Sequence, residues 1–306
     1  MLKKPIIIDT DPGIDDAVAL AIALFSEKLD VRLITTVAGN VSIDKVTYNA
    51  LRLLKHFGKS IPVAKGSAQP LLRPGIDASD VHGVSGMEGW DFDEPDYGLL
   101  LPEHAVNAMY RTLKESKEKI TLVPIGPLTN IALLLRMYPD VKEHIAEIAL
   151  MGGSLTRGNK GVMAEFNIAY DPEAAKIVFA SGLPIAVAPL DVGLKALVLP
   201  EDSAKLKGMN HTGDMIHALF QKYRGGSMKT GLKMYDSCAM AYLLAPEMFE
   251  IVETFVDVEV QGALTAGCTA IDLRGYLKQA PNAKVCVDID DVKFKEWFLK
   301  SLSVCI

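Results

Sequence analysis

Apolar positions along the first third of the chain fall into two alternating kinds of run. Ile6-Ile7-Ile8, Val31 to Val37 and Ile61-Pro62-Val63 are short, continuous and rich in β-branched residues, the composition of strands buried on both faces. Between them lie longer segments with helical spacing. One runs from about Asp15 to Ser26 and carries Ala17, Val18, Leu20, Ala21, Ile22 and Leu24. The other follows Ser42, a residue suited to a helix N-cap, carries Val46, Leu51, Leu53, Leu54 and Phe57, and is closed by Gly58. The rhythm resumes with a strand over Ile120–Pro124, a helix over Leu128–Met137 and a strand over Ile145–Met151. A helix over Pro172–Ala180 and a strand over Leu183–Ala188 follow. Such alternation predicts an α/β fold, a doubly wound and mostly parallel central sheet with helices on both faces.

The stretch from about Leu71 to Gly98 breaks the rhythm. It is rich in Gly, Asp, Glu and Pro and holds Val81-His82-Gly83-Val84-Ser85-Gly86, and loops of this length in compact domains are usually functional. Beyond Pro200 the pattern predicts a helical and mixed C-terminal addition. It comprises a helical region to Tyr223, a Gly/Ser/Lys-rich bend over 224–231 and a helix from about Asp236. Strands follow over Phe255–Val260, Thr269–Leu273 and Val285–Ile289, then a last helix over Val292–Leu302. Nothing resembling a repeat or linker divides the chain, so residues 1–306 are expected to form one domain.

Composition changes this picture little. Hydrophobic residues make up 49% and charged residues 23% of the 306, as in ordinary globular proteins. A net charge of −6 favours neither nucleic acid nor an anionic membrane as partner. The apolar run after Met1-Leu2-Lys3-Lys4 ends at Asp9, too soon for a signal peptide, and no stretch approaches the ~18 apolar residues of a membrane helix. Cys238, Cys268, Cys286 and Cys305 show no CxxC spacing, so reduced thiols and a cytoplasmic location are expected.

The chemistry is concentrated in Asp9-Thr10-Asp11-Pro12-Gly13-Ile14-Asp15-Asp16-Ala17, which puts four carboxylates within eight residues directly behind a buried strand. Pro12-Gly13 forms a tight turn and Asp15 or Asp16 opens a helix, so the segment folds back and gathers its acids. One Asp at a helix start is ordinarily a cap, but capping does not account for four. Carboxylates in contact share a proton or a cation, and oxygen donors without His or Cys favour Ca²⁺ or Mg²⁺ over zinc. A rival pattern is the DxD of haloacid-dehalogenase-type phosphatases, which use an Asp nucleophile. They usually carry Thr or Val where this chain has Gly13, and they lack the pair Asp15-Asp16.

The whole acidic segment resembles the DxDPGxDDA signature of the inosine-uridine nucleoside hydrolase family, with the bacterial ribonucleoside hydrolases of broad specificity the most similar. The resemblance extends over essentially the whole chain through Val37-Ala38-Gly39-Asn40, Gly126-Pro127-Leu128-Thr129-Asn130, Met151-Gly152-Gly153 and Ala164-Glu165-Phe166-Asn167, in the family's order. It implies hydrolysis of the N-glycosidic bond of ribonucleosides to ribose and free base. It further implies Asp11, Asp16 and Asp236 as Ca²⁺ ligands with the carbonyl of Ile125, and Asp11 as base for the attacking water. Asp15, Asn40, Glu165 and Asn167 match residues that hold the ribose hydroxyls, and Met151 one that lines the sugar site. A homo-oligomer, dimer or tetramer, is implied as well. Asp11, Asn40, Ile125 and Met151 each end a separate expected strand, and in doubly wound sheets such ends share one edge.

In this reading the Ca²⁺-bound water attacks in a single displacement while carboxylates favour the positive charge that builds on the sugar. The chain departs from its relatives in one place: the family's His before the aspartate matching Asp236 is here Tyr235. A phenol with a pKa near 10 is protonated at neutral pH and can donate to the departing base, or it only packs against it. His82 is a second candidate on the base side, because pyrimidine-preferring members carry a His in a matching loop. Tyr223, Arg224 and Lys229 are further base-side candidates, although Tyr223 stands at helical spacing from Phe220. The alternative function is a nucleoside-binding protein whose catalysis is impaired by Tyr235.

Overall fold

Ile6 and Ile8 project into one apolar layer and Ile7 into another, and all three are buried to within 1%. A strand buried on both faces must sit in the middle of a covered sheet, and each fully buried isoleucine contributes roughly 1.5–3 kcal/mol. In the computed structural model, which describes residues 3–227 and 229–306, this strand is indeed central. Met1 and Leu2 of the opening run and Met228 of the 224–231 bend lie outside the described residues.

Thirteen strands are formed among the described residues. The first six are β1 (Lys4–Thr10), β2 (Leu29–Thr36), β3 (Val63–Lys65), β4 (Ile120–Pro124), β5 (Ile145–Met151) and β6 (Ile185–Ala188). β7 (Leu197–Val198), β8 (Gly226–Ser227) and β9 (Gly231–Lys233) make a small antiparallel sheet. They are followed by β10 (Phe249–Thr254), β11 (Val256–Val258), β12 (Thr269–Ile271) and β13 (Ala283–Ile289). The main sheet runs β10-β13-β6-β5-β4-β1-β2-β3, parallel throughout except for β10 against β13. The strand order reverses between β1 and β4, and in doubly wound sheets the ligand crevice opens at that reversal, beyond the strands' carboxyl ends.

Two layers cover the sheet. On the Ile6/Ile8 side lie helices Ile14–Phe25, Ile43–His56, His211–Phe220, Tyr235–Leu244 and Asp291–Ser303; on the Ile7 side lie Ala105–Glu115, Thr129–Met137 and Pro172–Phe179. The expected doubly wound α/β architecture is therefore present. The boundaries over Ile120–Pro124 and Ile145–Met151 match, and Gly58 (φ +61°) ends its helix in the left-handed conformation that glycine adopts without strain.

Several expectations need correction. Ile61-Pro62-Val63 places its strand too early: only Val63 belongs to β3, because Pro62 has no N–H to donate, although its carbonyl accepts from Ile34. The helical region over 200–223 is two helices, Pro200–Leu206 and His211–Phe220, parted at Gly208 (φ +75°) and capped anew by Asn210. The strand read as Phe255–Val260 is the shorter β11, and β10 was not expected at all: it lies on the exposed edge, where polar Glu250 and Glu253 mask it. Helix Ala105–Glu115 carried no expectation at all.

One histidine in this scaffold sets an acid-stability signature. His56 stacks on His211 at 4.3 Å, touches Trp90 and Phe92, and its buried Nε2 lacks a partner. Burial, with His211 beside it, pulls its pKa down to about 4. Protonation then favours the unfolded chain, so this contribution is intact above the unfolded value near 6.5 and is lost as pH falls from there toward 4. His56→Phe is expected to narrow the gap in melting temperature between pH 8 and pH 5 relative to the wild type. An unchanged gap would show that His56 does not carry this acid sensitivity.

Candidate active site

The chain leaves β1 through Thr10 and Asp11, turns at Pro12-Gly13 and enters helix Ile14–Phe25. Asp16 stabilises this path: its Oδ2 accepts from Gly13 N (2.9 Å), satisfying an orphan donor at the helix start, and its Oδ1 accepts from the Thr10 hydroxyl (2.6 Å). Asp236, second residue of helix Tyr235–Leu244, comes from the far end of the sequence because that helix packs against Ile14–Phe25. Oxygens of Asp15, Asp16 and Asp236 thereby come within 4.8 Å of one another.

The expected trio was Asp11, Asp16 and Asp236, but the oxygens that approach one another this closely are those of Asp15, Asp16 and Asp236; Asp11 stands beside them, tied to Asp16 through Asn40. Asp11 Oδ2 accepts from Asn40 N (2.7 Å), while Asn40 Nδ2 donates to Asp11 O (3.0 Å) and Asp16 Oδ2 (3.2 Å). The carboxylate lies between Gly39 and Gly126, and a Cβ at either glycine would collide with it. All four acids are buried. Burial, followed by repulsion from Asp16, pushes Asp11 well above the usual carboxylate range and Asp15 up to about 8; burial raises Asp16 as well. Asp236 is raised by burial and then by Asp15, Asp16 and Asp11. The nearest basic side chain in ion-pair range is His82, 3.9 Å from Asp15, and burial holds its pKa down at about 4. Hard oxygens crowded together without a neutralising side chain suit a hard divalent cation, so the donor set fits Ca²⁺.

The remaining expected sugar-side residues converge on the same crevice. Ile125, Met151, Glu165 and Asn167 line one cavity of about 230 Å³ with Asp11, Asp15, Asn40 and Asp236. Asn167 Nδ2 donates to the carbonyls of Ile125 (3.0 Å) and Met151 (3.2 Å), tying the ends of β4 and β5 together. Glu165 caps helix Phe166–Tyr170 and also accepts from Gly153 N (2.9 Å), and burial brings its pKa up to about 7.

The opposite end of the cavity is aromatic. His82, Tyr223 and Tyr235 all line it. His82 Nδ1 accepts from Ile14 N (3.1 Å), which leaves the proton of the neutral ring on Nε2, and its ring lies 5.5 Å from that of Tyr223. The Tyr223 hydroxyl donates to Lys233 O (3.2 Å). Burial, then Asp15 and Glu165, raise the Tyr235 phenol, so it is held protonated. Gly193 leaves room for the Tyr235 ring, because a Cβ there would strike it. Arg224 lines the cavity as expected, whereas Lys229 is exposed and does not. Asn159, Lys160, Phe166 and Lys233 line it without having been singled out; their signal was adjacency to Glu165 and to the 224–231 bend.

Asp9 lies outside the cavity. Its Oδ1 accepts from Thr35 (2.6 Å) and Asn130 (2.9 Å), and the residue is 1% exposed. A phosphatase of the DxD type needs both aspartates at its substrate, and this geometry withholds one of them.

Comparison with known proteins points to one family. The family profile described as inosine-uridine preferring nucleoside hydrolase matches residues 6–296. A non-specific ribonucleoside hydrolase, RihC, of Klebsiella pneumoniae is 52% identical over 296 residues, covering 97% of each chain. The structure of a purine-preferring ribonucleoside hydrolase from Gardnerella vaginalis superposes with a TM-score of 0.90 at 28% identity, over 98% of both chains. That of an inosine-guanosine nucleoside hydrolase superposes with a TM-score of 0.92 at 27% identity over 100% of both.

The packing of Asp11 between two glycines is directly testable. Gly39→Ala forces a methyl group against the carboxylate and is expected to cost about 1–3 kcal/mol, the usual penalty of overpacking. Urea unfolding reads this as a lower midpoint at unchanged slope, and a midpoint equal to wild type would mean that the site has slack.

Proposed function

The chain belongs to the inosine-uridine preferring nucleoside hydrolase family and is a ribonucleoside hydrolase, and from that premise we propose how its residues divide the work. The observation that carries the proposal is that Asp11, Asp15 and Asp236 line one end of a cavity whose other end is aromatic, with an Asp16 oxygen within 4.8 Å of those of Asp15 and Asp236. Such a cavity has one end for a hydroxyl-rich sugar that becomes cationic and one for a flat base.

Ca²⁺ is the proposed cofactor, held by Asp11, Asp16, Asp236 and the carbonyl of Ile125, with Asp15 in reach; when bound it supplies a Lewis acid that orients water and ribose hydroxyls. Asp11 takes the proton of the attacking water, its carboxylate steadied by Asn40 N. Asp15, Asn40, Glu165 and Asn167 bind the ribose hydroxyls, and Met151 packs against the sugar. Water attacks as the glycosidic bond breaks, and the buried carboxylates favour the oxocarbenium-like charge on the ribose. No enzyme-bound covalent intermediate is formed.

At the base end His82 is neutral near pH 7, so its contribution is a hydrogen bond from Nε2 rather than delivery of a proton from an imidazolium. Tyr235 acts likewise as a hydrogen-bond donor, since its surroundings make it a weaker acid than a free phenol. Aromatic faces accept purines and pyrimidines alike, which supports broad base specificity of the kind that the RihC relatives' name states.

The proposal extends to one domain, supported by a sheet in which β13 pairs with β6 and β1 pairs with β4. It includes a homo-oligomer, supported by the exposed Leu264, Leu273 and Tyr276 of a single segment. It places the enzyme in the cytoplasm, where its four free thiols persist. No described helix is long and apolar enough to cross a membrane.

Ribose release from uridine, cytidine, inosine and xanthosine, measured with Ca²⁺ and with excess chelator, tests the core of this reading. Release is expected with purine and pyrimidine substrates and is expected to vanish on chelation; release that survives chelation would overturn the metal assignment. Asp11→Asn is expected to lower kcat about 10²–10⁴-fold, the usual contribution of a positioned base. Tyr235→Phe is expected to lower kcat by about tenfold, the equivalent of one hydrogen bond of roughly 1.4 kcal/mol, while leaving Ca²⁺ affinity unchanged. Wild-type kcat in that variant would reduce Tyr235 to a packing residue.

A further inference from the structure

Asn130, which ends the Gly126–Asn130 segment, does not line the cavity. It is fully buried in the first turn of helix Thr129–Met137. Yet both ends of its amide are used. Nδ2 donates to Asp9 Oδ1 (2.9 Å) and Thr36 O (2.9 Å), and Oδ1 accepts from Ser67 N (2.9 Å). One side chain thus joins the carboxyl ends of β1 and β2 to the segment just beyond β3. Gly66 accommodates this crossing, because a Cβ there would run into the Asn130 amide and the Thr36 carbonyl.

The hydrogen bonds continue from this brace into the cavity. Ser67 O accepts from Ala38 N (2.9 Å), and Val37 N donates to Thr10 O (3.1 Å). Two residues beyond Ala38, Asn40 N donates to Asp11 Oδ2 (2.7 Å) and Asn40 Nδ2 reaches Asp16. The neighbouring Thr129 turns the other way, its hydroxyl donating to Asp171 Oδ2 (2.7 Å), the cap of helix Pro172–Phe179.

We propose that Asn130 is a positioning residue for the hydrolytic reaction, acting through the 36–40 loop to set where Asn40 holds the Asp11 carboxylate. The proposal rests on the roles given above to Asp11 and Asn40. A misplacement of about 1 Å passed along rigid elements to a reacting group can cost on the order of 10²-fold in rate. A brace of this kind therefore acts on kcat as well as on stability.

The test compares Asn130→Ala, Asn130→Asp, the double variant Asp9→Asn/Asn130→Asp, Thr129→Val and Asp11→Asn. Each is assayed for kcat and KM on inosine well below its melting temperature, and for Ca²⁺ binding by calorimetry without substrate. Asn130→Ala is expected to lower kcat at least tenfold and to weaken Ca²⁺ binding at least threefold. Asn130→Asp is expected to be worse, because two buried carboxylates then face each other. The double variant restores a donor facing an acceptor at the Asp9 contact, though not at the Thr36 carbonyl, and is expected to recover part of the kcat lost in Asn130→Asp. Thr129→Val is expected to lower the melting temperature while kcat stays within twofold. Wild-type kcat and Ca²⁺ affinity in Asn130→Ala would overturn the positioning role, as would an Asn130→Asp variant no worse than Asn130→Ala. Full activity in Asp11→Asn would instead overturn the reading of Asp11 on which the proposal stands.

Discussion

Four carboxylates, those of Asp11, Asp15, Asp236 and Glu165, are held out of water around one cavity with a fifth, Asp16, beside them, and much of this fold is the means of holding them there. Unpaired buried carboxylates cost several kcal/mol each after relaxation, so the arrangement persists only where the scaffold is stiff. The stiffness comes from β1, buried on both faces and flanked by β2 and β4 at the point where strand order reverses. From that point the acids need little further structure. A helix start supplies donors to Asp16, two glycines admit the Asp11 carboxylate, and a helix packed on the first one delivers Asp236.

The two ends of the cavity are built differently. The acidic end rests on strand termini and on side chains with multiple hydrogen bonds, such as Asn40, Glu165 and Asn167. The aromatic end rests on connections: the short turn Ser79–His82, the stretch after Phe220, and the start of helix Tyr235–Leu244. On the division of work proposed above, sugar recognition and bond cleavage belong to the framework of the sheet, and base recognition to loops laid over it. Loops tolerate substitution more readily than strand ends do, so the base end can vary while the chemistry is kept.

Most of the sheet is legible in the sequence because buried parallel strands are continuous apolar runs, and the strand-end rule alone puts Asp11, Asn40, Ile125 and Met151 on one edge, where they line one cavity. Edge elements were less legible. β10 carries glutamates on its open side, and the helices on either side of Gly208 merge in a periodicity that does not register a single turn. Pairings between distant residues left no local trace. Nothing near Ile14 signals that its N–H meets His82, and nothing near Gly193 signals that Tyr235 lies against it. The amide of Asn130 stood in a quoted motif, yet its partners at Asp9, Thr36 and Ser67 are separated from it by 63 to 121 residues, beyond what any spacing rule reads.

The distance along the chain between Asp11 and Asp236 also governs when the site comes into being. Synthesis proceeds from the N-terminus, and domains gather their long-range contacts late. The first three acids of the cluster leave the ribosome long before the helix that brings the fourth, and Tyr235 arrives with that helix. A nascent chain that has not yet reached this helix therefore carries the acidic turn, His82 and Tyr223, but neither the far-end carboxylate nor the Tyr235 ring that completes the base end.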